Sequence, residues 1–327
     1  DLLAATVGLF SSFLLVGFLP YLSAVTGAPL RQGIVVLALP LLGLLALALT
    51  GLATRRGVAY TYEDLAPHVK RIVERERVKA EIDAANRIQA ALLPAKDPEL
   101  EGASIASHYR AATEIGGDYF DFLPLGDGRL AIAFGDVSGH GLTSGIVMSM
   151  AKSALLVQVG YDPSPVRVMN VLNDHVMKTA PKRILMTFFY GLLDAARGEL
   201  RFSSAGHLDP YVYRAAERRL VPLSAWGFPL GVRRREPFHE FEATFDPGDR
   251  LILYSDGLIE ALGDDGEPFG FPRFESTIVE HGGGSAAEIK QALLQSVKRF
   301  TRNRPAEDDQ TLVVIGFEQS GRLRKAS

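Results

Sequence analysis

Residues 129–141 read RLAIAFGDVSGHG. Leu130–Phe134 is an apolar run of strand length, and an acid, Asp136, stands just past it between Gly135 and Val137. Strand ends put side chains at the rim of a sheet, where several can converge. The pattern recurs: Leu251–Tyr254 runs into Ser255, Asp256 and Gly257, and Asp308 and Asp309 stand just before the run Thr311–Ile315. Asp118 belongs to Gly116-Gly117-Asp118-Tyr119-Phe120. Taken alone, Asp256 reads as an ordinary Asp-Gly turn, Asp118 as a loop or cap residue, and Asp308 as a charge on a loop. The case rests on the four places together. Carboxylates that converge repel one another, and a cation relieves the repulsion. Hard divalent ions such as Mg²⁺ and Mn²⁺ take oxygen ligands of this kind. The neighbouring glycines let a carbonyl or a water approach closely.

Further strands are expected at Phe188–Leu193, Leu200–Ser203 and Leu312–Phe317, and helices at Gly141–Val159, Pro165–Lys178 and Ala286–Phe300. Strands outnumber helices and several lie close in sequence. This predicts antiparallel pairing in a mixed, layered α+β fold rather than a doubly wound one. Upstream, residues 62–93 predict one helix. Leu65, Val69 and Ile72 start an apolar stripe, and Val78, Ile82, Ala85, Ile88 and Leu92 continue it at spacings of three and four. Charges of both signs fill the other face, and Pro94 provides a stop. Two readings stay open for this helix: a spacer packed on its own domain, or a coiled coil that joins two protomers into a homodimer.

The chain has 327 residues and a net charge of −3, which gives no general reason to expect a nucleic-acid partner. It has no cysteine. Disulfides, thiolate metal sites and cysteine nucleophiles are therefore excluded, and any metal must be held by carboxylates, histidines or carbonyls. The apolar fraction, 47% overall, is strongly uneven. No charged residue occurs from Leu2 to Leu30 or, after Arg31, from Gln32 to Thr54. About 20 apolar residues cross a bilayer. Leu2–Val25 and Gly33–Ala53 both reach that length, with Thr26-Gly27-Ala28-Pro29 as the turn between them. Two spans and no evident cleavage site argue against a signal peptide, and span length argues against a hairpin buried in a soluble core. Arg55 and Arg56, with Lys70 and Arg71 further on, outweigh the single Arg31 of the connecting loop. The positive-inside rule then puts everything after residue 55 in the cytoplasm of a multi-pass protein of the inner or plasma membrane. The expected organisation is a two-helix transmembrane region over 1–54, a helical linker over 55–97, a catalytic domain over 98–319 and a tail over 320–327.

Gly-Gly-Asp-Tyr-Phe-Asp (116–121), Gly-Asp-Val-Ser-Gly-His-Gly (135–141), Ser-Ala-Gly-His (204–207), Tyr-Ser-Asp-Gly-Leu-Ile-Glu (254–260) and Asp-Asp-Gln-Thr-Leu (308–312) come in that order. Together they resemble the metal-dependent serine/threonine phosphatases of the PPM (type-2C-like) family, most closely the bacterial sporulation and stress-response (SpoIIE-like) branch. Ile88–Pro94, Phe189-Tyr190-Gly191 and Pro229–Val232 look like the same branch, so the resemblance covers roughly residues 85–318. It implies a sandwich of two antiparallel β-sheets flanked by helices, with two Mn²⁺ or Mg²⁺ ions at one edge. By resemblance, Asp136 bridges both ions and the carbonyl of Val137 completes the first site. Asp256 and Asp308 hold the second ion, and Asp118 acts on the first, directly or through water. Asp309 stands where many relatives have Asn, which implies a supporting role. His140 is either a general acid or the stabiliser of a glycine-rich turn. His207, followed by an Asp209 that relatives usually lack, reads as structural. Arg110 is either a surface residue or a contact for the substrate phosphate. Ser138 and Ser255 lack a base partner, so a serine nucleophile is not expected.

The implied activity is direct hydrolysis of phosphoserine or phosphothreonine in a protein partner, which in this branch is often the antagonist of an anti-sigma factor. The branch is switched through the helix that enters the domain. Two other classes compete. A catalytically silent binding module has no need of the intact acid set. A carboxylate-metal nuclease needs a basic groove that the acidic balance does not supply.

Overall fold

Strand β3 (Arg129–Val137) is buried on both faces. Leu130, Ile132 and Phe134 point to one side, and Ala131, Ala133 and Val137 to the other, as the two-residue period of a strand requires. That double burial is why the run reads as continuous rather than alternating. β3 sits in a sheet of order β2 (Asp118–Gly126), β3, β4 (Met186–Asp194), β5 (Glu199–Ala205), β8 (Phe241–Thr244). The second sheet has the order β1 (Ala103–Arg110), β10 (Gln310–Phe317), β9 (Arg250–Tyr254), β6 (Tyr211–Arg214), β7 (Arg219–Pro222). Neighbouring strands pair antiparallel throughout both sheets.

The computed structural model describes residues 62–112, 116–126, 128–139, 141–181, 184–233 and 237–318. The expected spans Leu2–Val25 and Gly33–Ala53, the flanking Arg55 and Arg56, His140 and the tail 320–327 lie outside the described residues, as do the side chains of Leu65, Ile82, Ala85 and Ile88. The chain divides into two compact units, Asp1–Arg75 and Glu76–Ser327, and both sheets belong to the second.

Within that unit the two sheets stack face to face. Phe120, Ile132, Phe134, Phe189 and Phe202 of one meet Leu251, Leu253, Val313 and Ile315 of the other. Helices α2 (Leu142–Tyr161) and α3 (Pro165–Thr179) cover the outer face of the β3 sheet, where Val147, Met148, Ala151, Leu155, Met169 and Leu172 pack on Ala131, Ala133 and Val137. The outer face of the β10 sheet, with Ile252, Tyr254, Leu312 and Val314, is covered by α5 (Gly270–His281) and α6 (Ala286–Phe300) through Phe274, Ile278, Ile289 and Leu293. The result is a four-layer α/β/β/α sandwich. Local signals set the helix starts. Pro165 opens α3, where its missing N–H costs nothing. Ser285 and Glu288 form a reciprocal capping box at the start of α6. Among the described residues, α2 is the one helix long and apolar enough to cross a membrane, and its Val147, Met148, Ala151, Leu155 and Val159 are packed in the core.

The long upstream helix, α1, spans Tyr62–Ala90 and ends three residues before the expected 93. Its last turn tightens at Leu92, whose N–H donates to the Gln89 carbonyl at 2.9 Å. The Leu92 carbonyl is taken by the Lys152 ammonium, and Leu93, preceding Pro94, is disfavoured in the helical region. A four-residue helix, α4 (Asp256–Ile259), follows β9 directly.

Candidate active site

Asp118 opens β2 and Asp136 nearly closes β3, and the register sets them directly opposite each other. Facing residues on antiparallel strands have Cβ atoms about 5 Å apart, and like charges placed so are destabilising. Burial pushes the Asp118 carboxyl well above the usual carboxylate range, Asp136 pushes it further, and a hydrogen bond from Thr311 partly offsets the rise. That hydroxyl donates to Asp118 Oδ2 at 2.5 Å. Asp136 is pushed up to about 7 by burial and then by the charges of Asp256, Asp308 and Asp309. Asp256 is raised by burial, Asp308 and Glu260. The acids at the end of β2 and β3 therefore share one electrostatic environment with those beside β9 and β10.

The chain holds this rim together with its own backbone. Asp309 is buried. Its Oδ2 accepts from the N–H groups of Gly117 at 2.6 Å and Asp118 at 3.2 Å, and its Oδ1 from Ala112 at 2.9 Å. Ser255 joins the β9 and β10 ends: its hydroxyl donates to the Asp309 carbonyl at 3.1 Å and accepts from the Thr311 N–H at 2.9 Å. Gly117 is required by close approach. A Cβ there would lie 2.8 Å from the Val137 carbonyl oxygen and 3.0 Å from Asp136 Oδ1.

Among the described residues, no three acidic or histidine side chains close into a ready-made ligand cage. The fit to a divalent cation rests instead on donor chemistry. The groups at the rim are carboxylate oxygens and one backbone carbonyl, the set that hard cations take. Among the described residues, no lysine or arginine forms an ion pair with Asp118, Asp136, Asp256, Asp308 or Asp309.

The other candidates fall outside the acid cluster. Ser138 Oγ accepts from the Leu185 N–H at 2.9 Å, a loop contact with no base. His207 is buried, with Nδ1 3.0 Å from the Thr187 hydroxyl and its ring against Phe134. Burial lowers its pKa to about 4, so it stays neutral. Arg110 ends β1 on the surface.

Two features had no signal of their own. Gln89 of α1 grips Gly116 with both ends of its amide: Nε2 donates to the Gly116 carbonyl at 2.6 Å, and Oε1 accepts from its N–H at 3.2 Å. Lys152 of α2 pairs with the buried Asp121 of β2 at 2.7 Å. Motif spacing marks neither contact, because each joins residues far apart in sequence.

Two stacked antiparallel sheets between helix layers, with acids of both sheets meeting at one edge, define a phosphatase of the PPM, or PP2C-like, type. The chain belongs to the stage II sporulation protein E (SpoIIE) family, whose sequence profile matches residues 126–318. It is 29% identical over 242 residues to phosphoserine phosphatase RsbU of Bacillus subtilis, covering 73% of this chain and 71% of that protein. The fold superposes on the SiaA-PP2C domain of Pseudomonas aeruginosa with a TM-score of 0.66 at 20% identity, over 75% of this chain and 99% of that one. The RsbU and RsbW domains of Rv1364c from Mycobacterium tuberculosis give a TM-score of 0.59 at 29% identity, over 68% of this chain and 62% of that one.

Proposed function

We propose that this chain is a membrane-anchored protein phosphatase that hydrolyses phosphoserine or phosphothreonine with two Mn²⁺ or Mg²⁺ ions. In this reading Asp136, Asp118 and the Val137 carbonyl hold one ion, and Asp136, Asp256 and Asp308 hold the other. The observation that carries it is the facing pair Asp118 and Asp136, both held above the usual carboxylate range by burial and by neighbouring acids, with no lysine or arginine paired to either among the described residues. When bound, such ions supply a nucleophilic water near neutral pH and offset charge on the phosphoryl oxygens. The protein's own part is positioning. Asp309 fixes the peptide on either side of Gly117, Thr311 orients Asp118, and Gly117 leaves the Val137 carbonyl accessible. The hydroxyls of Ser138 and Ser255 are committed to backbone groups, which favours direct attack by water over a phosphoserine intermediate.

A phosphoserine protein substrate is supported by the likeness to RsbU, a phosphoserine phosphatase by name. The family resemblance adds the antagonist of an anti-sigma factor as its kind. The two apolar stretches within 1–54 support the anchor, and the arginines after them support a cytoplasmic catalytic domain over 98–319. Val69, Ile72, Val73 and Val78 are exposed on α1, which supports a homodimer joined through the linker of residues 55–97. The grip of Gln89 on Gly116 gives that helix a route to Asp118.

The test is phosphate release from a phosphoserine peptide by the purified full chain in detergent, with and without Mn²⁺, beside Asp136→Asn. Mn²⁺-dependent release that falls by at least about 10³-fold in the variant, while circular dichroism stays native, is the expected result. Near-normal turnover by Asp136→Asn would sink the metal assignment.

A further inference from the structure

β1 ends at Arg110, which lies opposite Gln310 at the start of β10. Gln310 is two residues from Asp308. Beside this corner a cavity of about 350 Å³ opens between β1, the last turn of α6 and the turn that follows. His108, Arg110, Lys298, Arg304, Glu307 and Gln310 stand in its wall. Three permanent cations thus face one carboxylate. Arg304 is partly neutralised, since it pairs with Asp264 at 3.4 Å and donates to the Gly263 carbonyl at 3.1 Å. Arg110 and Lys298 are exposed, and among the described residues neither has a side-chain ion pair or hydrogen bond.

Three observations set this cavity apart from an ordinary basic surface. The first is its field: the His108 imidazole is held below its usual pKa by burial and then by the charges of Lys290 and Arg110. The second is its construction. Arg302 and Asn303 carry left-handed backbone, with φ of 50° and 62°, which side chains other than glycine adopt at a cost. The bonds of Arg304 to Gly263 and Asp264 hold that turn in place. The third is location. A second cavity, lined by Gly257 and Asp308, shares Ala261, Leu262 and Glu307 with the first. Basic residues in the last turn of a helix also balance its dipole. That accounts for Lys298 but not for Arg110, which comes from a strand.

We propose that this cavity receives an acidic side chain of the substrate protein, two or three residues from the phosphoserine, and that Arg110 and Lys298 hold it. The proposal rests on the phosphatase reading for where the phosphoserine sits. An extended peptide advances about 3.3 Å per residue. Two or three residues then span roughly 7–10 Å, a distance suited to reaching from Asp308 past Gln310 to Arg110. The enzyme would thereby prefer phosphoserines in acidic surroundings over those flanked by basic residues.

The test uses the full chain in detergent with Mn²⁺. Fluorescent peptides carry a non-hydrolysable phosphonate analogue of phosphoserine, with either glutamates or lysines at the second and third positions on both sides. Binding is read by anisotropy for the wild type, Lys298→Gln and a control that removes the same charge elsewhere, Lys178→Gln on α3. The expected result is that the glutamate peptide binds about two- to fivefold more tightly, the range an exposed ion pair brings. Lys298→Gln should remove most of that preference and Lys178→Gln none of it. Equal binding of the two peptides, or equal loss in the two variants, would overturn the proposal. Phosphate release from a phosphoserine peptide with neutral flanks, measured in parallel, reports on the phosphatase reading separately. Turnover without glutamate preference removes the cavity alone, and preference without turnover removes the catalytic reading alone.

Discussion

Asp136, pushed up to about 7 by burial and its acidic neighbours, must give up a proton to hold a metal ion. Mn²⁺ affinity should therefore fall as pH drops below 7, by about tenfold per pH unit for each proton displaced. Calorimetric titration at pH 6, 7 and 8 checks this, and an affinity independent of pH would count against a shared ion at the rim. His207 works in a different window. Its folded pKa is about 4, against an unfolded value near 6.5. Between these values the unfolded state binds more protons, so stability falls as pH falls. The loss over the whole window is about 3 kcal/mol. The ion-free aspartates act in the opposite sense, because their raised folded values make the folded state the better proton binder below pH 7. The difference between wild type and His207→Gln isolates the imidazole. Urea unfolding at pH 7.5 and 5.0 should show the wild type losing about 2 kcal/mol relative to the variant, and an unchanged difference would refute a buried neutral His207. The acids were legible in the sequence because strand ends and glycines flank them. The bonds that orient them were not. Asp309 reaches Gly117 across 192 residues, and nothing local to either position signals that meeting.

β2 shows why an element that carries a key acid escaped a reading by pattern. Its sequence, DYFDFLPLG, contains a proline and two aspartates, all residues depleted in strands. The structure accommodates each one. β2 is an edge strand, where a proline is tolerated, and the register shifts between Pro124 and Gly126. Asp118 belongs to the acidic rim. Asp121 is buried but satisfied: Lys152 pairs with its Oδ2, Tyr119 donates to the same oxygen at 2.9 Å, and the Phe122 N–H donates to Oδ1 at 2.9 Å. The Lys152 ammonium also reaches the Leu92 carbonyl just beyond α1, so one charge joins α1, α2 and β2. Removing one partner of such a pair strands the other. Lys152→Met should destabilise the domain by about 3 kcal/mol, and Lys152→Met with Asp121→Asn should cost less than the two single changes combined. Chemical denaturation of the four proteins gives the coupling, and strict additivity would mean that the pair contributes nothing. Of the strands recognised from sequence, β3, β4, β9 and β10 carry apolar runs buried on both faces, and β5 stands out by alternation, with Leu200 and Phe202 buried and Arg201 exposed. The short β6, β7 and β8, with four residues each, offer too little pattern to stand out.

For the molecule as a whole, average composition conceals its organisation. A net charge of −3 is the sum of an acidic rim, a cationic cavity beside it and a mixed remainder. Likewise an apolar content of 47% averages a domain of ordinary composition with a leading stretch that has one charge, Arg31, between Leu2 and Thr54. The domain already has an internal place for its apolar residues, since each sheet is covered on both faces. The leading stretch is different in kind: each of its two apolar segments has about the number of residues that a helix needs to cross a bilayer. A chain bound only through surface charge would leave membranes in alkaline carbonate, whereas a chain that spans them would stay. The full protein, expressed in bacterial cells, should remain in the carbonate-washed membrane pellet. A version beginning after residue 54 should appear in the supernatant and keep its Mn²⁺-dependent turnover. Release of the full chain by carbonate would remove the anchor from the proposed function while leaving the carboxylate chemistry intact, because every group invoked for that chemistry lies between Gln89 and Thr311.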